Sequence, residues 1–207
     1  MTRAVRRLRR LRDDEGGFTL VELSATMAVL GIFLAAVALV LAGAIRNSSQ
    51  VEDQAVTQNE ARAAVDALAA ELRQAYSDST LPGTPYAIQT WTGTTLTFYT
   101  PDRLTPHHVR LVSYRLNSGQ LQRAFATSTN TGAGPLSGVA AGNLGSYQTQ
   151  VGTVTNSTLF TYWQADGVTA ATSLANLAFV RIALTVSPRG SQGKTSTYVV
   201  NANPRTA

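Results

Sequence analysis

The sequence predicts an α+β protein: a long N-terminal helix, membrane-spanning in its first half and amphipathic in its second, packed on a C-terminal antiparallel β-sheet. Three observations predict it. From Leu23 to Ile45, 23 residues include only Ser24 and Thr26 as polar members. Beyond Arg46, apolar residues recur at helical spacing, and neither Gly nor Pro interrupts from Ala44 to Leu81. From Tyr86 onward the apolar period becomes two.

Residues 1–17 form a short basic leader. Arg3, Arg6, Arg7, Arg9, Arg10 and Arg12 stand against Asp13, Asp14 and Glu15, a net charge of +3 within a chain of net +5. The high pI is therefore largely a property of this tail and says little about nucleic-acid binding by the rest. Residues 18–45 follow as an apolar segment. As a helix the 23-residue run spans about 35 Å, enough to cross a hydrocarbon core of about 30 Å. The arginines before it and the single Arg46 after it place the N-terminus in the cytoplasm and the remainder outside.

A buried core helix and a secretory signal peptide are the competing readings. The first conflicts with an apolar surface on every side. The second has a small-x-small site at Ala42-Gly43-Ala44, but the apolar run far exceeds an h-region of about 7–15 residues. Glu22 raises a separate question, because a carboxylate near the start of a membrane helix needs a partner.

The stretch Gly16-Gly17-Phe18-Thr19-Leu20-Val21-Glu22-Leu23 resembles the class III signal of type IV prepilins and type II secretion pseudopilins. The resemblance implies cleavage after Gly17 by a prepilin peptidase, and methylation of the new N-terminal amine on Phe18. It also makes Glu22 the acidic residue that pairs with the Phe18 amine of a neighbouring subunit during filament assembly. Gly31 lies within the span, where the family often has a glycine and a later proline around a helix that loosens in the filament. Here the proline is missing, and Gly31 also fits close helix packing in lipid.

Residues 46–79 continue the helix, to about Ser77. Val51, Ala55, Ala61, Val65, Leu68, Leu72 and Tyr76 form its apolar stripe. Glu52, Asp53, Gln58, Arg62, Asp66, Arg73 and Gln74 take the other faces, with Arg62 and Asp66 an i,i+4 pair. Leu81-Pro82-Gly83 ends the pattern.

Residues 80–207 make the sheet. Strands are expected over Thr94–Thr100, Val109–Leu116, Leu121–Ala126, Leu159–Gln164, Phe179–Pro188 and Thr195–Asn201, with a hairpin turn at Asn117-Ser118-Gly119-Gln120. A Ser/Thr/Gly/Ala-rich stretch at about 127–150 reads as a long loop. The segments VSYRLNSGQLQR (112–123), LFTYWQADG (159–167), LANLAFVRIALTV (174–186) and the helix end ARAAVDALAAELRQA (61–75) resemble J-type minor pseudopilins and PilW-like minor pilins.

The residues supply little chemistry. There is no cysteine, hence no disulfide and no thiolate metal site. His107 and His108 are adjacent and point to opposite sides of a strand. No G-x-S-x-G occurs. Asp102 and Asp166 lack the alternating acids of a calcium loop. Trp91, Phe98, Tyr99, Tyr114, Phe160, Tyr162 and Trp163 read as sheet core. Asn47-Ser48-Ser49 and Asn156-Ser157-Thr158 match glycosylation sequons by chance. No catalytic residue, cofactor or metal is expected.

The expected function is thus non-enzymatic: a minor, tip-proximal subunit of a type IV pilus or type II secretion-like filament, anchored in a bacterial cytoplasmic membrane. The implied partners are the prepilin peptidase/methyltransferase, other major and minor pilins or pseudopilins, an inner-membrane assembly platform with its ATPase, and membrane lipid. One alternative is a membrane-anchored adhesin or DNA-uptake receptor. Nucleic-acid binding would then require Arg103, Arg110, Arg115 and Arg123 to form one stripe. Another is a secreted hydrolase released near Ala44.

Overall fold

The computed structural model describes residues 18–76, 86–102, 109–127, 143–188 and 194–204. Residues 1–49 and 50–207 form two compact units. Helix α1, Leu20–Arg73, contributes to both. Every residue from Phe18 to Asp53 is exposed within the single chain, including Leu20 at 84% and Phe33 at 62%. The helix passes unbroken through Gly31, where an added Cβ would meet nothing within 4 Å.

In the second unit α1 turns amphipathic. Ala61, Ala64, Val65, Leu68, Ala69 and Leu72 are buried at helical spacing. The fully buried Leu68 and Leu72 each contribute about 1.5–3 kcal/mol of transfer free energy. The buried stripe starts at Thr57, later than expected: Val51 is 60% exposed and Ala55 is exposed too. No ion pair joins Arg62 to Asp66.

The helix also ends earlier than expected, at Arg73, although Leu81-Pro82-Gly83, outside the described residues, reads as its stop. The physical reason is tertiary. Gln74 and Ala75 close the last turn with i→i−3 bonds to Glu71 and Leu72, and the Tyr76 N–H donates to the Tyr99 carbonyl at 2.8 Å. That donor is spent on a strand rather than on a further helical turn.

Among the described residues eight strands follow, and they build two antiparallel sheets where one was expected. The first runs in sequence order: β1 (Ile88–Trp91), β2 (Thr95–Pro101), β3 (Val109–Asn117), β4 (Gln120–Thr127) and β5 (Gln148–Val151). The second orders β6 (Phe160–Trp163), β7 (Phe179–Val186) and β8 (Ser196–Ala202). The sheets meet at the β1–β2 turn. There the Gly93 carbonyl accepts from the Leu159 and Phe160 N–H groups, and the Tyr162 hydroxyl donates to Thr92 O. Trp91 meets Tyr162 edge to face at 5.2 Å.

The β3–β4 hairpin closes as its residues demand. Ser118 and Gly119 hold φ of 49° and 71°, the two positive values a two-residue I′ turn requires, and Asn117 pairs with Gln120. Gly119 is doubly constrained, because a Cβ there would lie 3.2 Å from Val154 O.

One core joins α1 to the inner faces of both sheets: Leu96, Phe98, Val112 and Tyr114 from the first, and Val180, Ile182, Leu184 and Val186 from the second. The outer face of the first sheet is covered as well. Tyr99, Val109, Leu111 and Ala126 form a second cluster against Leu144. Tyr147 reaches over that face, bonding to Ser113 and lying under the Arg115 guanidinium at 3.6 Å. The end of the expected 127–150 loop is therefore packed structure, and its last residues pair with β4 as β5. Residues 128–142 lie outside the described residues.

Asn156 is not a free sequon. Its side-chain amide donates to Ala183 O at 2.8 Å and to Thr158 O, while Oδ1 accepts from the Thr185 N–H at 2.9 Å. The side chain continues the β7 ladder where no strand does.

Glu71 ties α1 to the first sheet. Its carboxylate accepts from Arg110 at 2.8 Å, from Arg123 at 2.6 and 3.2 Å, and from the Tyr114 hydroxyl at 2.8 Å. Burial first, and then the Glu71 charge, hold the Tyr114 phenol well above its usual pKa. Burial pulls the Arg123 guanidinium down, yet the hydrogen bond and charge of Glu71 outweigh it and leave it raised. Glu71→Ala leaves two half-buried guanidiniums without a counter-charge. It should destabilise the detergent-solubilised full chain by about 2 kcal/mol in urea unfolding, with Glu71→Gln milder. An unchanged midpoint for Glu71→Ala would sink this account.

Candidate processing and assembly site

Of the three residues singled out in the sequence, Gly17 lies outside the described residues. Phe18 and Glu22 are described. Phe18 precedes the helix and is 79% exposed. Glu22 occupies the first turn of α1, the electropositive end of the helix, where a carboxylate is favoured.

Glu22 has a partner that charge-based reading of the sequence missed. Thr19 is the residue before the first helical position, and Glu22 is the third position in. The Glu22 N–H donates to Thr19 Oγ1 at 3.2 Å, while Glu22 Oε2 accepts from the Thr19 N–H at 3.4 Å and from its hydroxyl at 3.3 Å. This reciprocal pattern is a capping box, and T-x-x-E before an apolar run is its sequence signature. Both contacts fall on Oε2, so Oε1 keeps its lone pairs for another donor.

The remaining polar groups of the first turns turn inward on their own helix. The Ser24 hydroxyl donates to Val21 O at 2.9 Å, and that of Thr26 to Glu22 O and Leu23 O at 3.0 and 2.9 Å. Satisfied in this way, they add little to the cost of an apolar environment. Ala25, Thr26, Val29, Leu30 and Phe33 then line an apolar groove beside Glu22. The carboxylate oxygen Oε1 is the one polar group at this groove without a bond among the described residues. Ala42–Ala44, the alternative cleavage site, lies within α1 and is helical.

The family model of the prokaryotic N-terminal methylation motif matches residues 12–38, a segment that includes Gly17, Phe18 and Glu22. No curated protein and no solved structure matches the chain. The chain thus carries the signal of type IV pilins and pseudopilins at the start of a helix long and apolar enough to cross a membrane. The long N-terminal helix followed by antiparallel sheets is a pilin-like α+β layout. The motif implies processing by a prepilin peptidase and assembly with other pilins.

The other candidates of the sequence fall elsewhere. Arg110 and Arg123 are engaged by Glu71 on the inner face of the first sheet. Arg115 lies on the outer face, stacked on Tyr147 and bonded to Gln122. Arg103, His107 and His108 lie outside the described residues. The arginines therefore form no single stripe for a nucleic-acid backbone. Asp166 accepts from the Thr169 hydroxyl and from the Thr169 and Val168 N–H groups. These bonds, led by the Thr169 hydroxyl, hold its carboxyl below the usual value, and they shape the exposed turn at Gly167.

Thr19→Val removes the hydroxyl from the capping box and should weaken the first turn by about 1 kcal/mol. Hydrogen exchange of the full chain in detergent would read this as faster exchange confined to the first helical amides. Unaltered exchange there would show that the box does not hold the turn.

Proposed function

We propose that the protein is a non-enzymatic, minor pilin- or pseudopilin-like filament subunit. It is inserted with its N-terminus in the cytoplasm and its sheet domain outside, cleaved after Gly17 and methylated on Phe18. The observation that carries this reading is the coincidence, on one helix, of the methylation motif with a long exposed apolar surface. Lipid covers such a surface before assembly, and other subunits' helices cover it in a filament.

Cleavage would create a positive amine at Phe18, and Glu22 Oε1 is available to accept from such an amine on a neighbouring subunit. With Oε2 held by Thr19, the carboxylate is oriented without being saturated. A charge-assisted bond at that position is worth more in a low-dielectric surrounding than in water. It therefore favours entry into the filament and sets the register between subunits. The further partners of this reading are an inner-membrane assembly platform and its ATPase, which supply the work of extension. The J-type or PilW-like assignment rests on the patterns at 61–75, 112–123, 159–167 and 174–186.

Mass spectrometry of the membrane-derived protein tests the reading directly. The expected N-terminus is N-methylated Phe18; an intact Met1 terminus would overturn it, as would soluble protein beginning at Ile45. For the pairing, Glu22→Ala should be cleaved normally and incorporated poorly into filaments. Normal incorporation would refute the pairing while leaving the subunit reading intact.

A further inference from the structure

Two sets of charges in the second unit lack counter-charges, and they lie on opposite flanks of α1. On one flank Asp53, Val56, Thr57 and Glu60 face Gly152 and Thr153 across a cleft of about 280 Å³. Asp53 and Glu60 are exposed, and neither forms an ion pair among the described residues. Val56 is 50% exposed and supplies an apolar floor, while an added Cβ at Gly152 would meet nothing within 4 Å. Thr153 Oγ1 is buried in the cleft wall without a hydrogen-bond partner. A cleft with an apolar floor, anionic rims and an unspent acceptor suits the methylene stem and head of an arginine.

On the other flank two arginines converge on Asn201. Arg73 donates to Asn201 O at 3.3 Å, and Arg181 Nε donates to Asn201 Oδ1 at 3.3 Å. The Arg181 guanidinium lies 4.9 Å from the centre of the Trp163 ring, whose indole N–H is spent on Thr161. Neither arginine has a carboxylate partner among the described residues. Val199, on the same strand, is 56% exposed.

At 100° per residue, Arg73 lies about 140–160° around α1 from Glu60 and Asp53, and about 20–30 Å further along its axis. A patch and its complement on opposite sides, displaced along one axis, describe a head-to-tail contact rather than a two-fold one. We propose that the cleft at Asp53, Val56 and Glu60 receives Arg73 and Arg181 of a second copy of this chain. The contact repeats from copy to copy and acts as an electrostatic register in the sheet domains. It rests on the filament-subunit reading but is independent of Glu22.

The chain has no cysteine, so an introduced pair reports the contact cleanly. Val56→Cys and Val199→Cys leave all four charges in place. Co-expressed full-length chains carrying one substitution each should give a disulfide-linked dimer under mild oxidation in membranes, with little dimer from either variant alone. Adding Glu60→Arg should lower the yield about tenfold, and Arg73→Glu or Arg181→Glu on the other copy should restore it. Absence of the mixed dimer in membranes that contain N-methylated Phe18 overturns the contact and leaves the subunit reading standing. Dimers from Val56→Cys alone would replace it with a two-fold contact, and adducts only with a different protein would remove the second copy as the occupant. A chain that keeps Met1 fails the underlying reading first.

Discussion

Glu71 is the point on which the sheet domain depends. It projects from a stripe otherwise made of Ala, Val and Leu, and three donors from β3 and β4 converge on its two oxygens. A carboxylate this enclosed is tolerated only when its bonds are complete, and two guanidiniums and a phenol complete them. The geometry also sets a rotation: turning α1 about its axis to improve apolar contact would break all three. Arg73 to Asn201 and Gln58 to Ser196 do the corresponding work against β8, so side chains of α1 reach both sheets.

The other half of α1 follows a different rule. Its first polar side chains bond locally, through the capping box at Thr19 and Glu22 and the back-bonding of Ser24 and Thr26, and leave Glu22 Oε1 open. The same helix thus meets two surroundings with two chemistries. Distant partners hold the portion packed on the sheets, while the first polar side chains of the apolar portion bond to neighbours within four residues.

Much of this was legible in the sequence. The apolar run, the change to helical spacing after Arg46 and the alternation in β7 each report a local environment, and local periodicity is what a sequence records well. Asn117-Ser118-Gly119-Gln120 specified its turn because Gly119 needs a positive φ. The misses share a cause. Val51 and Ala55 fit the stripe but extend beyond the sheets that could cover it. The Glu71 partners stand 39 and 52 residues away, and only the register of β3 against β4 brings them together. Two sheets read as one because alternation alone does not say which strands pair: β6 joins β7 rather than β5, and meets the β1–β2 turn through the Gly93 carbonyl. The Thr19–Glu22 box differs: its T-x-x-E signature is local and stands in the sequence.

Asn156 shows how narrowly a side chain can stand in for backbone. Its amide presents a donor to two carbonyls and an acceptor to one N–H, the complement of what β7 leaves open. Conversion of that amide to a carboxylate, the ordinary chemical ageing of asparagine, would change the nitrogen into an oxygen facing the Ala183 and Thr158 carbonyls. A one-atom change with almost no change in volume would set like dipoles against each other beside the central strand of the second sheet. That position is a chemical clock built into the fold.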